Sequence, residues 1–258
     1  MEVHSHSHTP RRKWTHYFWE FLMLFLAVFA GFLAENQREH YIERHRAKVL
    51  AKNLYKELLM DSVNMSERIK YRVIKEQQSV NFLNYVSDSI LSELDHNFFS
   101  SFYWTFIQTN QVFFEPNDGV LSQLRNSGEL RYFRNTDLQT AIGKLNVSIN
   151  NVRSRNDREY SYLETFMRPF SLKHYDFTWH NKVTDNGLIP SVDAMGDSPK
   201  IRIDGKMTNF EQFNRVEAKG IISYQLLMLR ATRNAHYKDY SNVNHEVLSI
   251  LRDEFGIE

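Results

Sequence analysis

From Phe18 to Ala34 the chain is apolar almost without interruption, and Glu20 is the run's one ionisable residue. A helix needs roughly 17 to 25 mostly apolar residues to cross the hydrocarbon core of a bilayer, so the run predicts a transmembrane anchor over residues 14–35. Arg11, Arg12 and Lys13 precede it, and Trp14, Tyr17 and Trp19 stand where an interfacial aromatic belt is expected. Three other readings stay open. Val28 and Ala30 fit the small-residue rule for signal-peptide cleavage before Gly31; a buried core helix is also apolar on all sides; an interfacial helix needs a polar face that this run lacks. The helical pattern continues past Ala34 into Glu35-Asn36-Gln37-Arg38-Glu39 without a break, which favours an uncleaved anchor.

No Gly or Pro occurs from Glu35 to Val86, and apolar residues recur at helical spacing through Leu50, Leu54, Leu58, Met65, Ile69, Val73 and Val80. This predicts one long helix, or two in line, leaving the membrane as a stalk and joining a bundle. A second helix is expected over Leu138, Ile142, Leu145, Ile149, Val152, Tyr160, Leu163, Met167 and Phe170, with a start signal at Asn135-Thr136-Asp137 and a stop at Pro169. A third runs from Asn209 to Phe255, with Gly220 as a candidate bend. Ile90 to Phe133 reads as shorter helical pieces, and Leu172 to Met207 as a long loop holding a short strand pair at Lys200 to Ile203. The expected fold class is mainly α: an N-terminal transmembrane helix continuing into an elongated helical bundle. Its parts are a polar and basic tail at 1–13, the anchor at 14–35, and a bundle at 36–258 with an irregular loop at about 172–207.

Composition sharpens this picture. Only 9 Gly and 5 Pro in 258 residues leave little turn chemistry, which counts against an all-β fold. A formal net charge of +1, with both signs interleaved, creates no field to gather nucleic acid, so none is expected as a partner. The absence of cysteine removes thiol catalysis, disulfides, iron–sulfur clusters and cysteine-based zinc sites.

Candidate chemistry is sparse. His4, His6 and His8 alternate in a short polar tail that can offer imidazoles to zinc, nickel or copper, but nothing preorganises them, and a solvated tail is the simpler reading. Glu93 and His96 form a Glu-x-x-His pair of the kind di-iron bundles use twice, here without a second copy. Phosphate-loop, dinucleotide-binding, nucleophile-elbow and zinc-protease motifs are all missing. No catalytic, cofactor-binding or metal-binding residue is therefore assigned, and neither an enzyme nor a cofactor is expected. The segment Asn97 to Phe114 holds Phe98, Phe99, Phe102, Tyr103, Trp104, Phe106, Phe113 and Phe114 and no charge. Its many amide and hydroxyl side chains rule against a second span. It is expected to plug the core between the long helices, with a ligand pocket or partner groove as the alternative.

The start of the chain, Met1-Glu2-Val3-His4-Ser5-His6, a basic stretch, then Tyr17 to Val28 and Gly31 to Glu35, resembles a group of uncharacterised single-pass membrane proteins of Bacteroidota. Leu121-Ser122-Gln123-Leu124-Arg125-Asn126-Ser127-Gly128-Glu129-Leu130-Arg131 is similar to a turn that recurs in related proteins. The resemblance implies a bacterial inner-membrane setting and supplies no activity. Glu20 recurs in that pattern. The basic cluster at residues 11–13 favours a large domain on the periplasmic side, against Arg38, Arg44, Arg46, Lys48 and Lys52 on the other flank. The functional expectation is a membrane-anchored, non-enzymatic interaction or scaffold protein. Its expected partners are the lipid bilayer and another membrane or envelope protein, and a homodimer is a further candidate. The alternatives are an extracytoplasmic sensory or ligand-binding module with a pocket near Tyr103 and Trp104, and a membrane-bound hydrolase without a recognised motif.

Overall fold

The computed structural model describes residues 14–88, 96–178 and 208–257, and among them the regular structure is helical, with no strand. The chain divides into two compact units, Met1–Leu50 and Ala51–Glu258. Helix α1 spans Trp14–Asp88, 75 residues with no proline and one glycine, Gly31. The strand pair expected at Lys200 to Ile203, the tail histidines His4, His6 and His8, and Glu93 lie outside the described residues.

In the first unit α1 is long and apolar enough to cross a membrane, and no residue of the apolar stretch is buried. Phe21, Phe25 and Phe29 stack in sequence along one face at 6.3 and 6.0 Å between ring centroids, the i, i+4 spacing that makes helical neighbours. The Nε2 of His16 lies 3.2 Å from the carboxylate of Glu20, one turn later. Past the apolar run, Arg38 donates to both carboxylate oxygens of Glu35, and His40 lies 3.6 Å from Glu43. Large side chains such as Phe21, Leu24, Val28 and Phe32, each exposed over more than half its surface, cost free energy in water at about 25 cal/mol per Å². A hydrocarbon solvent removes that cost.

The second unit holds the rest of α1, then α2 (His96–Phe102), α3 (Gly119–Asn126), α4 (Thr136–Tyr162), α5 (Arg168–His174), α6 (Arg215–Ala231) and α7 (Lys238–Phe255). Asn135 caps α4 as its start signal predicts, its side chain accepting from the backbone N–H of Asp137 and Leu138; Asn214 does the same for α6. Gly128, at φ 69°, supplies the left-handed turn after α3.

Pro169 does not stop the second helix. A π turn, Leu163–Met167, joins α4 to α5, and the N–H of Arg168 reaches back five residues to the Leu163 carbonyl. The wider turn takes up the spacing a proline would otherwise violate, and Pro169 falls in the first turn of α5, where its missing N–H costs nothing. Gly220 does not bend α6 off either. The change of helix type comes later, at the π turn Thr232–Tyr237 that leads into α7. A third π turn, Tyr103–Ile107, extends α2.

Helices α4 and α7 pack along each other. The aromatic segment is the core plug its composition suggests: Phe98, Phe102, Phe106 and Phe82 interlock with Leu163, Met167, Phe170, Tyr175, Ile222 and Leu226. The Phe102 ring stacks on Phe106 at 4.8 Å and on Tyr175 at 5.1 Å. Trp104 is buried within the same unit, and Tyr103 is half-buried.

Candidate functional site

The buried face of α1 follows helical spacing but turns polar half-way along. After Leu54 and Leu58 it carries Asp61, and after Met65 it carries Arg72, Lys75, Glu76 and Ser79, before returning to Phe82 and Val86. Charged side chains are almost never fully buried unless paired, so the partners define the site.

Arg72 is fully buried and joins four parts of the unit. Its Nε donates to the Leu229 carbonyl at 3.0 Å, and Nη1 to the Val112 carbonyl at 2.9 Å and to the Tyr237 hydroxyl at 3.3 Å. Nη2 donates to the carboxylate of Glu159. The guanidinium also lies 5.0 Å from the centre of the Tyr237 ring, a cation–π distance. Glu159, on α4, accepts as well from the Thr232 hydroxyl and lies 3.8 Å from Arg155. Tyr237 closes the circle: its hydroxyl accepts from the Phe114 N–H at 3.0 Å and donates to the Val112 carbonyl at 3.4 Å. The π turns Leu163–Met167 and Thr232–Tyr237 adjoin this network, Thr232 and Tyr237 being the ends of the second. Such turns are rare and concentrate where side chains must be re-aimed.

Lys75, one turn from Arg72, is also fully buried, and its Nζ donates to the Gln108 carbonyl at 2.7 Å. Burial, and after it the charge of Arg72, lowers its pKa to about 7, with Glu159 pulling the other way. Lys75, Thr109, Glu159 and Gln225 are the polar walls of a cavity of about 20 Å³, otherwise lined by apolar groups such as Leu163, Met167 and Leu229. That is room for about one water molecule. Gln225 donates to the Thr105 carbonyl at 3.2 Å, while its buried Oε1 has no partner among the described residues.

A second polar network surrounds the start of α3. Asp61 accepts from the backbone N–H of Asn117 at 3.0 Å, from the Asn117 side chain, and from the Tyr240 hydroxyl at 2.6 Å. Glu57 accepts from the Val120 N–H at 3.0 Å, a carboxylate placed on the first turn of α3. Burial raises the pKa of both carboxyls, and burial together with the Asp61 bond raises that of Tyr240. Arg153 binds Asp118 at 2.8 Å and Glu115 at 2.7 Å, closing the loop onto α4.

No known protein family, curated protein or solved structure matches this chain.

The arrangement therefore speaks through its own geometry. Among the described residues, no group of three or more His, Asp or Glu side chains is placed to hold a metal ion. Sequence reasoning singled out neither network. The signal that would have found the first is the spacing of Arg72, Lys75, Glu76 and Ser79 at i, i+3, i+4 and i+7, the same as a core face. An apolar-only reading followed Ile69 and Val73 instead, and Val73 is 46% exposed.

Proposed function

We propose that this chain is a membrane-anchored, non-enzymatic interaction protein: the apolar helix fixes it to a bilayer, and the helical unit from Ala51 onward presents a surface to another membrane or envelope protein. The exposed apolar stretch of α1 carries the reading, because a surface of that length and composition is stable in hydrocarbon and not in water. The buried ionisable groups support the non-enzymatic part. Arg72, Glu159 and Asp61 are each held by several protein partners, as structural groups are. The cavity beside Lys75, at about 20 Å³, has room for about one water molecule, so Lys75 does not line a small-molecule site there. A bacterial inner-membrane location with the large domain in the periplasm rests on the resemblance of the first residues and on the basic cluster at 11–13.

The test is affinity purification of the full chain from gently solubilised membranes of its own host, beside a variant carrying Leu24→Lys, Phe25→Lys and Val28→Lys. The proposal expects the full chain to sediment with membranes and bring down a second membrane or envelope protein reproducibly, and the lysine variant to lose both properties. Recovery of both proteins from the soluble fraction with equal partner yield would overturn the anchoring.

A further inference from the structure

The outer faces of α4 and α6 enclose an open groove of about 500 Å³, with Arg155, Arg158, Tyr162, Phe166, Tyr224 and Met228 among its walls. Its floor at one end is aromatic: the Tyr162 ring lies 4.9 Å from Tyr224 and 5.0 Å from Phe166. Phe166 and Tyr224 are 50% and 52% exposed, so both rings offer faces to whatever enters. The Tyr162 hydroxyl is committed inward, donating to the Ile221 carbonyl at 2.8 Å, which leaves its ring and not its polar end facing the groove. Phe166 belongs to the π turn Leu163–Met167, whose Leu163 and Met167 stay buried.

The other end is cationic. Arg155 is held rigid by the Thr232 hydroxyl at 2.7 Å and the Met228 carbonyl at 3.1 Å. Arg158 is exposed, and among the described residues it has no hydrogen bond or ion pair. Arg155 also lies 3.8 Å from Glu159, so Arg158 is the guanidinium left to a ligand, and Asp157 is the one carboxylate in the lining. Both arginines reach His236 next door: after burial, Arg155 and then Arg158 lower its pKa, against Glu159 and Asp239. Tyrosine and arginine around a hydrophobic floor are the side chains that dominate binding energy where proteins meet.

We propose that this groove is the docking site for a segment of a partner protein carrying an aspartate or glutamate about one helical turn from an aromatic or aliphatic side chain. The acidic group pairs with Arg158, and the apolar group sits on the Tyr162, Phe166 and Tyr224 rings. The spacing follows from α4 itself, where Arg158 and Tyr162 are four residues apart and so neighbours on one face. The inference rests on the interaction reading above and adds where and with what chemistry the partner binds.

A photoreactive benzoylphenylalanine placed at Tyr224 or at Phe166 of the full chain, in its native membranes, tests it. Val147, on α4 about three turns before Arg158, and Met60, on α1, are 57% and 62% exposed and lie outside the groove lining, so they serve as comparison positions. The expected result is one protein adduct from positions 224 and 166, with the captured peptide holding an acidic residue within about a turn of the crosslink. Arg158→Glu should cut the yield by about tenfold, while the melting temperature stays unchanged and Arg158→Lys retains most of the adduct. A lipid adduct, a second copy of this chain, or a yield indifferent to Arg158→Glu overturns the proposal. An adduct at Met60 or Val147 alone overturns the groove and leaves the interaction reading standing; no adduct at any of the four positions counts against both.

Discussion

Arg72 and Glu159 show why a buried charge pair has to be read as a unit. Removing two ions from water costs several kcal/mol each, and their attraction repays it only when the remaining donors and acceptors are also satisfied. Arg72 meets that condition through the Leu229 and Val112 carbonyls and the Tyr237 hydroxyl. Arg72→Ala is therefore expected to cost about 3 to 5 kcal/mol, because it strips the Leu229 and Val112 carbonyls of their donor and leaves Glu159 only Thr232 and the more distant Arg155. Arg72→Met combined with Glu159→Leu should cost clearly less than the sum of the two single changes, a coupling that chemical denaturation of all four proteins measures. Lys75 makes a different prediction, with its sign set by linkage. Its folded pKa of about 7 lies below the ordinary lysine value of 10.5, so the unfolded chain binds the extra proton between those pH values. Stability therefore rises with pH across that window, at most by about 1.36 kcal/mol per unit of displacement. Lys75→Met removes the slope, so its stability advantage over the parent should be largest near pH 7 and shrink towards pH 9.5. A difference that stays flat over that range would contradict a desolvated Lys75. These residues were hard to find in the sequence because apolar periodicity is the usual guide to a buried face. Here the face is buried over Asp61 and from Arg72 to Ser79 by pairing, and pairing partners up to 179 residues away leave no local trace.

At the scale of elements the sequence was far more legible. The apolar spacing from Leu138 to Phe170, the start signal at Asn135, and the lack of Gly and Pro after Glu35 all found their helices. The aromatic segment from Asn97 to Phe114 found its role as core filler for the same reason: large rings without charge must be buried somewhere. Helix ends were less legible. Pro169 read as a stop because a proline in a regular α-helix is one, and nothing in the local composition marks the neighbouring π turn, whose Leu163 and Met167 share a core with Ile222 and Leu226 of α6. The caps can be checked directly. Asn135→Ala and Asn214→Ala should each cost about 1 kcal/mol, the ordinary worth of an N-cap side chain, with Asn→Ser at either position nearly neutral. Thermal melts followed by circular dichroism resolve a change of that size.

For the whole molecule, the chain combines an exposed apolar helix with a unit whose buried charges Asp61, Arg72 and Glu159 are held by its own groups. The helix is long and apolar enough for the proposed membrane anchor, and the proposed function assigns contact with a partner to the surface of the unit. The orientation proposed above gives one prediction at this scale: protease added to the periplasmic side of intact inner membranes should degrade the region after Glu35, while protease confined to the cytoplasmic side should leave it whole. The most direct test of the central claim is the mass of the full chain after gentle detergent extraction from native membranes, by light scattering with the detergent contribution subtracted. The account predicts a particle in which the 30.8 kDa chain is accompanied by a different membrane or envelope protein in fixed ratio. A particle with the mass of one or two copies of this chain, and no other protein in it, would contradict it.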